Sequence, residues 1–189
     1  RRSYEEAAKL AESYLLSDLC IDQTALCSTE LAKAFQQGQK AMICGNGGSA
    51  CDAMHFAEEF TGRYRGNRKA LPVLSLSDAA HITCVANDFG FQDIFSRGVE
   101  AFGKQGDILV VLTTSGNSPN IMKAVEAAKL QGLRTWSFLG KGGGQLKGIC
   151  DREFIVPAST SDRIQEIHMT ILHTIIEGVE RILFPEQYA

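Results

Sequence analysis

The stretch KAMICGNGGSACDAMHFAEEF, residues 40–60, decides the fold. Residues 40–44 are short, apolar and followed by glycine, the pattern of a strand covered on both faces. From residue 48 the apolar positions return at helical spacing as far as Phe60, and Gly62 stops the run, so a helix is predicted over 48–61. The turn between them, GNGGS, lets the backbone bend tightly and come close to a ligand. It also opens a helix, whose free N–H groups and partial positive charge suit an anion. It has neither the GxGxxG spacing nor the GK[ST] ending of the nucleotide-binding loops, which disfavours a nucleotide. Two readings stay open for it: a tight strand-to-helix turn, or an anion site made by Gly47, Gly48 and Ser49.

The same alternation continues downstream. Strands are predicted at LPVLSL (71–76), DILVVLTT (107–114), RTWSFLG (134–140) and EFIVP (153–157). Helices are predicted over 79–87, 92–102, 119–131 and 161–183, and KGGGQLKG is a loop with one helical turn. Upstream, 3–19 and 22–37 read as two helices stopped by Gly38. Strand–helix alternation from residue 40 implies a parallel, doubly wound α/β sheet with helices on both faces. Ligands of such sheets bind beyond the carboxyl ends of the strands. Gly45–Ser49 and Thr113–Ser118 both sit at that rim.

The second rim loop, TTSGNSP, gathers the hydroxyls of Thr113, Thr114, Ser115 and Ser118 at a helix start. Ser118 is expected to cap the helix, with Pro119 at its first position. Capping explains one hydroxyl and not four, so a phosphate cradle without Lys or Arg is favoured. His55 and Glu59 are four apart on one helix and share a face; an exposed pair and a pair of metal ligands both have that spacing. On the last helix, Gln165 and His173 are eight apart, close enough in angle to line one cavity. His173 and His168 lie in an apolar stretch, where a core or interface role competes with a chemical one. Asp88, in NDFG, is compatible with a plain turn.

Composition sets the outer bounds. The 189 residues are 44% hydrophobic and 22% charged with a net charge of −3. That is the balance of one soluble domain, without the basic footprint of a nucleic-acid binder. No apolar run reaches transmembrane length. The start, RRSYEEAAKLAESYLL, lacks the apolar block of a signal peptide, and the first residue is not Met, so preceding residues and a cytoplasmic setting are expected. Six cysteines without CxxC spacing read as reduced, buried thiols, with Cys51 partly exposed near the glycine loop.

Four blocks, CGNGGSACDAMHFAEEFTGRYRGNR, VANDFGFQDIFSR, TTSGNSPN and SDRIQEIHMTILH, together resemble the sugar isomerase (SIS) domain family over residues 5–184, nearest its members that act on seven-carbon sugar phosphates. The resemblance implies a single SIS domain over 1–189, with 1–38 as a helical extension. It also implies a flavodoxin-like five-stranded parallel sheet, and a homotetramer with active sites at subunit interfaces built partly by the N-terminal and C-terminal helices. The implied activity is a ketose–aldose isomerisation of sedoheptulose 7-phosphate to D-glycero-D-manno-heptose 7-phosphate. That is the first step toward activated heptose for lipopolysaccharide or capsule. By motif, Glu59 and His173 match the catalytic pair, and His55, Glu59, Gln165 and His173 match a zinc cluster, one ion per subunit, with no nucleotide cofactor. Ser49, Thr113, Thr114, Ser115 and Ser118 match the phosphate-binding hydroxyls; Asn46, Gly47, Gly48, Arg63, Asn87, Asp88, Asp162 and Gln165 match the remaining substrate site. The alternatives are a non-catalytic relative that binds the replication initiator DnaA, in which the Glu59–His173 pair is lacking, and an isomerase of another sugar phosphate. A sugar-phosphate sensor of a regulator is weaker, since no DNA-binding segment accompanies the domain.

Overall fold

Beside the strand that ends in Gly45 runs the strand that ends in Thr113, and every neighbouring pair in the sheet is parallel. A computed structural model describes residues 1–188; the last residue of the expected 1–189 span lies outside the described residues. Five strands, β1 (Ala41–Gly45), β2 (Val73–Ser75), β3 (Ile108–Thr113), β4 (Arg134–Gly140) and β5 (Arg152–Val156), stand in the order β2-β1-β3-β4-β5. This is the flavodoxin order, whose reversal point lies between β1 and β3. Seven α-helices accompany them among the described residues: α1 (Arg2–Leu15), α2 (Asp18–Gln36), α3 (Gly48–Thr61), α4 (Ala79–Asp88), α5 (Ser96–Phe102), α6 (Pro119–Leu130) and α7 (Ser161–Leu183).

Strand alternation divides the core into two layers. Ala41 and Ile43 of β1, Val110 and Leu112 of β3, Trp136 and Phe138 of β4 point to one face, where α2, α3 and α7 bring Leu31, Phe56, Phe60 and Ile175. Met42, Cys44, Leu109 and Val111 point to the other, against Val85, Phe95, Ile121 and Ala128. Glu59 on α3 and His173 on α7 are therefore carried by two adjacent helices of the same layer. Deleting a buried aromatic such as Phe56 would cost about 3–5 kcal/mol and loosen that layer.

Several expected boundaries move, each for a local reason. The break expected at residues 20–21 falls at residues 16–17. There the Ser17 hydroxyl donates to the Tyr14 carbonyl at 2.6 Å and accepts from the Cys20 amide at 3.3 Å, closing α1 and capping α2. The strand over 71–76 shrinks to three residues: it is an edge strand, and Pro72 has no N–H to give a ladder. The helix over 92–102 splits into a 3₁₀ turn at Phe91–Asp93 and α5. The expected helical turn in the glycine-rich loop is a 3₁₀ turn at Gly144–Leu146. Of the cysteines, Cys20, Cys27 and Cys44 are buried and Cys150 half-buried, but Cys84 is exposed together with Cys51. The outer face of short α4, where only Val85 is buried, carries Cys84 to solvent.

Candidate active site

Both rim loops fall at the β1/β3 reversal point and are tied together there. The Asn46 amide exchanges two hydrogen bonds with the amide of Asn120: Nδ2 donates to Asn120 Oδ1 at 3.0 Å, and Asn120 Nδ2 donates to Asn46 Oδ1 at 2.8 Å. Gly47 turns the chain into α3 with φ of 57°, a conformation that favours glycine. Gly48 has no room for a side chain, because a Cβ there would lie 2.7 Å from the Gln165 amide. Gln165 Nε2 donates to Ser49 Oγ at 3.3 Å, so the start of α7 is seated on the start of α3.

Ser118 occupies the N-cap position of α6 but its side chain does not cap the helix. The N–H it was expected to hold, that of Ile121, is taken by Asn120 Oδ1 at 3.0 Å. The Ser118 hydroxyl instead faces Thr113 Oγ1 at 3.3 Å. Thr114 Oγ1 lies 3.1 Å from Ser161 Oγ at the head of α7, and Ser115 Oγ accepts from the Asn117 amide at 3.2 Å. Thr113, Thr114, Ser115 and Ser118 thus stand at the head of α6, with the head of α7 beside them through Thr114 and Ser161 and the head of α3 beside that of α7 through Gln165 and Ser49, a setting suited to an oxyanion. At the head of α7, Asp162 is exposed and held below the usual carboxylate range, mainly by the Thr160 hydroxyl.

About two and three turns further into α3 stands a second group. The ligand-capable atoms of His55, Glu59 and His173 lie within 4.8 Å of one another. His55 Nε2 is 3.3 Å from Glu59 Oε1, and the two imidazoles meet edge to face at 4.9 Å. Burial, the neighbouring His55 and Arg65 push the His173 pKa down, against the opposing pull of Glu59, so neutral imidazole is favoured. Two nitrogens and a carboxylate oxygen, half-buried and convergent, fit the three-ligand arrangement of a catalytic zinc site with an open position. The amide of Gln165 is instead engaged at Ser49 and Gly48, at the cradle end of α3. His168, by contrast, is fully buried, with Nε2 3.0 Å from the Leu139 carbonyl; burial lowers its pKa to about 4.

Arg63, Asn87 and Asp88 are exposed on the single chain. Asn87 and Asp88 bond to each other at 2.7 Å. Three residues the sequence reading passed over bear on the site. Tyr64 stacks on His173 with ring centroids 5.7 Å apart, Asn120 locks the rim loops, and Ser161 bonds Thr114. Tyr64 sits in the GRYRGNR block beside Arg63, and its aromatic ring so near an ionisable cluster was the available signal.

Sheet order, rim loops and convergent ionisable groups define an α/β domain with a polar site at the carboxyl ends of its strands, and comparison with known proteins gives its family. The SIS domain family matches residues 20–140, well over half of the chain, and the chain belongs to that family. More particularly, it stands among the phosphoheptose isomerases. It is 60% identical to the phosphoheptose isomerase of Fusobacterium nucleatum over 98% of this chain and 96% of the relative. It is 50% identical to that of Vibrio cholerae over 96% and 95%. The solved phosphoheptose isomerase of Francisella tularensis superposes with a TM-score of 0.89 at 34% identity, covering 95% of this chain and 96% of that one.

Proposed function

We propose that this isomerase converts sedoheptulose 7-phosphate to D-glycero-D-manno-heptose 7-phosphate, within one SIS domain spanning 1–189 that includes the helical segment 1–38. The observation that carries this is the convergence of His55, Glu59 and His173 at one end of a rim whose other end is lined with hydroxyls. Ser49, Thr113, Thr114, Ser115 and Ser118, with the amides of the adjoining helix starts, would grip the phosphate. Asn46, Gly47, Gly48, Gln165 and Asp162 would line the chain of carbinols, and Arg63, Asn87 and Asp88 the part of the site that is open on a single chain.

Moving the carbonyl from C2 to C1 requires a base that takes the C1 proton and returns it to C2, and a group that shifts a proton between the two oxygens. Glu59 is assigned the carbon proton. One carboxylate oxygen faces His55 at 3.3 Å; the other is assigned to the substrate. His173, kept neutral by burial and stacked on Tyr64, is assigned the oxygen side, where it accepts the O1–H proton and delivers it to O2. His55, Glu59 and His173 would hold a zinc ion, and Gln165, the fourth ligand by motif, would join them on leaving Ser49. When bound, the metal would supply Lewis-acid polarisation of the carbonyl. The Glu59–His173 pair separates this function from that of a non-catalytic relative.

Assembly as a homotetramer with sites completed by neighbours is part of the same reading. Its support is the apolar groove of about 560 Å³ between α2 and α7, lined by Leu16, Cys20, Ile21, Ile171 and Ile182. Leu16, Leu19, Ile21 and Ile182 are all exposed on the single chain. No helix among the described residues is long and apolar enough to cross a membrane; a cytoplasmic setting accords with substrates of central carbohydrate metabolism. The test is direct: incubate the purified protein with sedoheptulose 7-phosphate and follow the anomeric proton of the aldose by NMR. Appearance of the heptose aldose is expected; turnover only of five- or six-carbon ketose phosphates would assign another sugar, and none of any would remove the activity.

A further inference from the structure

The last turn of α3 leaves its carbonyls without intrahelical partners, as every helix end does. Here the Phe60 carbonyl accepts from the Leu71 backbone N–H at 2.9 Å, and one side chain, itself buried, reaches three carbonyls at this end of the helix. Arg68, in the loop that follows α3, donates Nη2 to the carbonyl of Glu59 itself at 2.6 Å, and Nη1 to the carbonyls of Phe60 at 2.7 Å and Gly62 at 3.1 Å. A guanidinium at a helix C-terminus also complements the helix dipole. Its remaining nitrogen, Nε, donates to Glu180 Oε1 at 2.7 Å, and both side chains are 0% exposed. Glu180 Oε2 is satisfied in turn by the Tyr188 hydroxyl at 2.7 Å. Glu180 belongs to α7 and follows His173 by seven residues, two turns along the same face.

Resting on the assignment of Glu59 and His173 as the reacting pair, we infer that Arg68 is a positioning residue for the isomerisation. Its planar fork fixes the end of α3 that carries Glu59 against the face of α7 that carries His173, and thereby sets the separation of the two. A buried ion pair is not in itself a strong source of stability. What distinguishes this one is that its cation grips the main chain of one reacting residue while its anion stands on the helix of the other. Lysine in its place would keep the charge toward Glu180 and lose the fork.

Arg68→Met, Arg68→Lys and the control Asp107→Ala separate positioning from plain stability. Asp107 is also buried; it accepts from the backbone N–H groups of Lys40 and Lys104 at the opposite end of the sheet, where the strands begin. Each protein is assayed on sedoheptulose 7-phosphate well below its own melting temperature, so that loss of folded molecules does not enter. Arg68→Met is expected to lose kcat by about tenfold or more with KM changed less than about threefold, since small misplacements of reacting groups carry penalties of that order or larger. Arg68→Lys is expected to fall between it and the parent. Asp107→Ala is expected to melt earlier yet keep kcat within about twofold of the parent. Should Arg68→Met fail to fold, Arg68→Lys decides alone. Parent-like kcat in whichever Arg68 variant decides, or an equal kcat loss in Asp107→Ala, overturns the inference. Normal turnover by Glu59→Gln would instead overturn the assignment beneath it.

Discussion

Replacing Glu59 with glutamine removes a base and keeps almost everything else. The carboxamide has the same size, its oxygen or nitrogen can still face His55 Nε2 at 3.3 Å, and the main-chain carbonyl stays bonded to Arg68 at 2.6 Å. The side chain is only 16% exposed, so its packing against α7 also persists. The stability change should be at most about 1 kcal/mol, which for a chain of this size moves the melting temperature by roughly 2–4 °C. Activity should behave otherwise. A positioned general base contributes about 10²–10⁴-fold, so kcat should fall by at least about a hundredfold with KM little changed. Because the amide is also a poorer zinc ligand, the same assay on His55→Gln is the needed comparison. That variant loses a ligand and keeps the base. If Glu59 acted only by holding metal, the two variants would lose activity alike and recover alike in excess zinc. The measurement is steady-state turnover with metal content determined on the same samples. A Glu59→Gln enzyme within tenfold of the parent, or one fully restored by zinc, refutes the assignment of the carbon proton to Glu59.

Three further outcomes are expected. His173→Gln should cut kcat severely, and a loss of less than about tenfold would make the imidazole structural. Complete removal of divalent metal by a chelator, verified by elemental analysis, should abolish turnover reversibly; undiminished activity would make zinc incidental. His168 predicts a stability effect with a definite sign. Its folded-state pKa is about 4 against 6.5 in the unfolded chain, so only the unfolded chain takes up the proton between those values. The stability it allows is whole above pH 6.5 and is lost as pH falls toward 4, about 3 kcal/mol in all. The urea midpoint of His168→Gln should therefore fall less over that window than the parent's, and equal slopes would show that His168 is not buried neutral.

The parts of the fold that were legible are those in which a single physical signal dominates. Helices α3 and α7 and strand β4 stand at the residues predicted for them, because apolar periodicity, Gly62 and the glycine after Leu139 mark them without competition. The break between α1 and α2 was misplaced because the apolar pattern runs on through Leu16 and Leu19; a single serine hydroxyl ends one helix and starts the next. At the site, the spacing of His55 and Glu59 placed them on one face. Their meeting with His173 is a matter of how α3 packs on α7, which no local pattern encodes. Ser118 was expected to cap α6, and the competitor, the adjacent Asn120 amide, is visible only once β1 and β3 bring Asn46 beside it. Arg68 read as one more loop charge in RYRGNRK, since nothing in sequence reveals that its partner lies 112 residues away.

Proton relay by one carboxylate between neighbouring carbons is the central claim, and isotope exchange reads it directly. Sedoheptulose 7-phosphate is isomerised in deuterium oxide by the parent and by Glu59→Gln, and deuterium at C2 of the aldose and C1 of the recovered ketose is measured by NMR. The parent should place solvent deuterium at both carbons and the variant at neither. Equal incorporation by both proteins would contradict it.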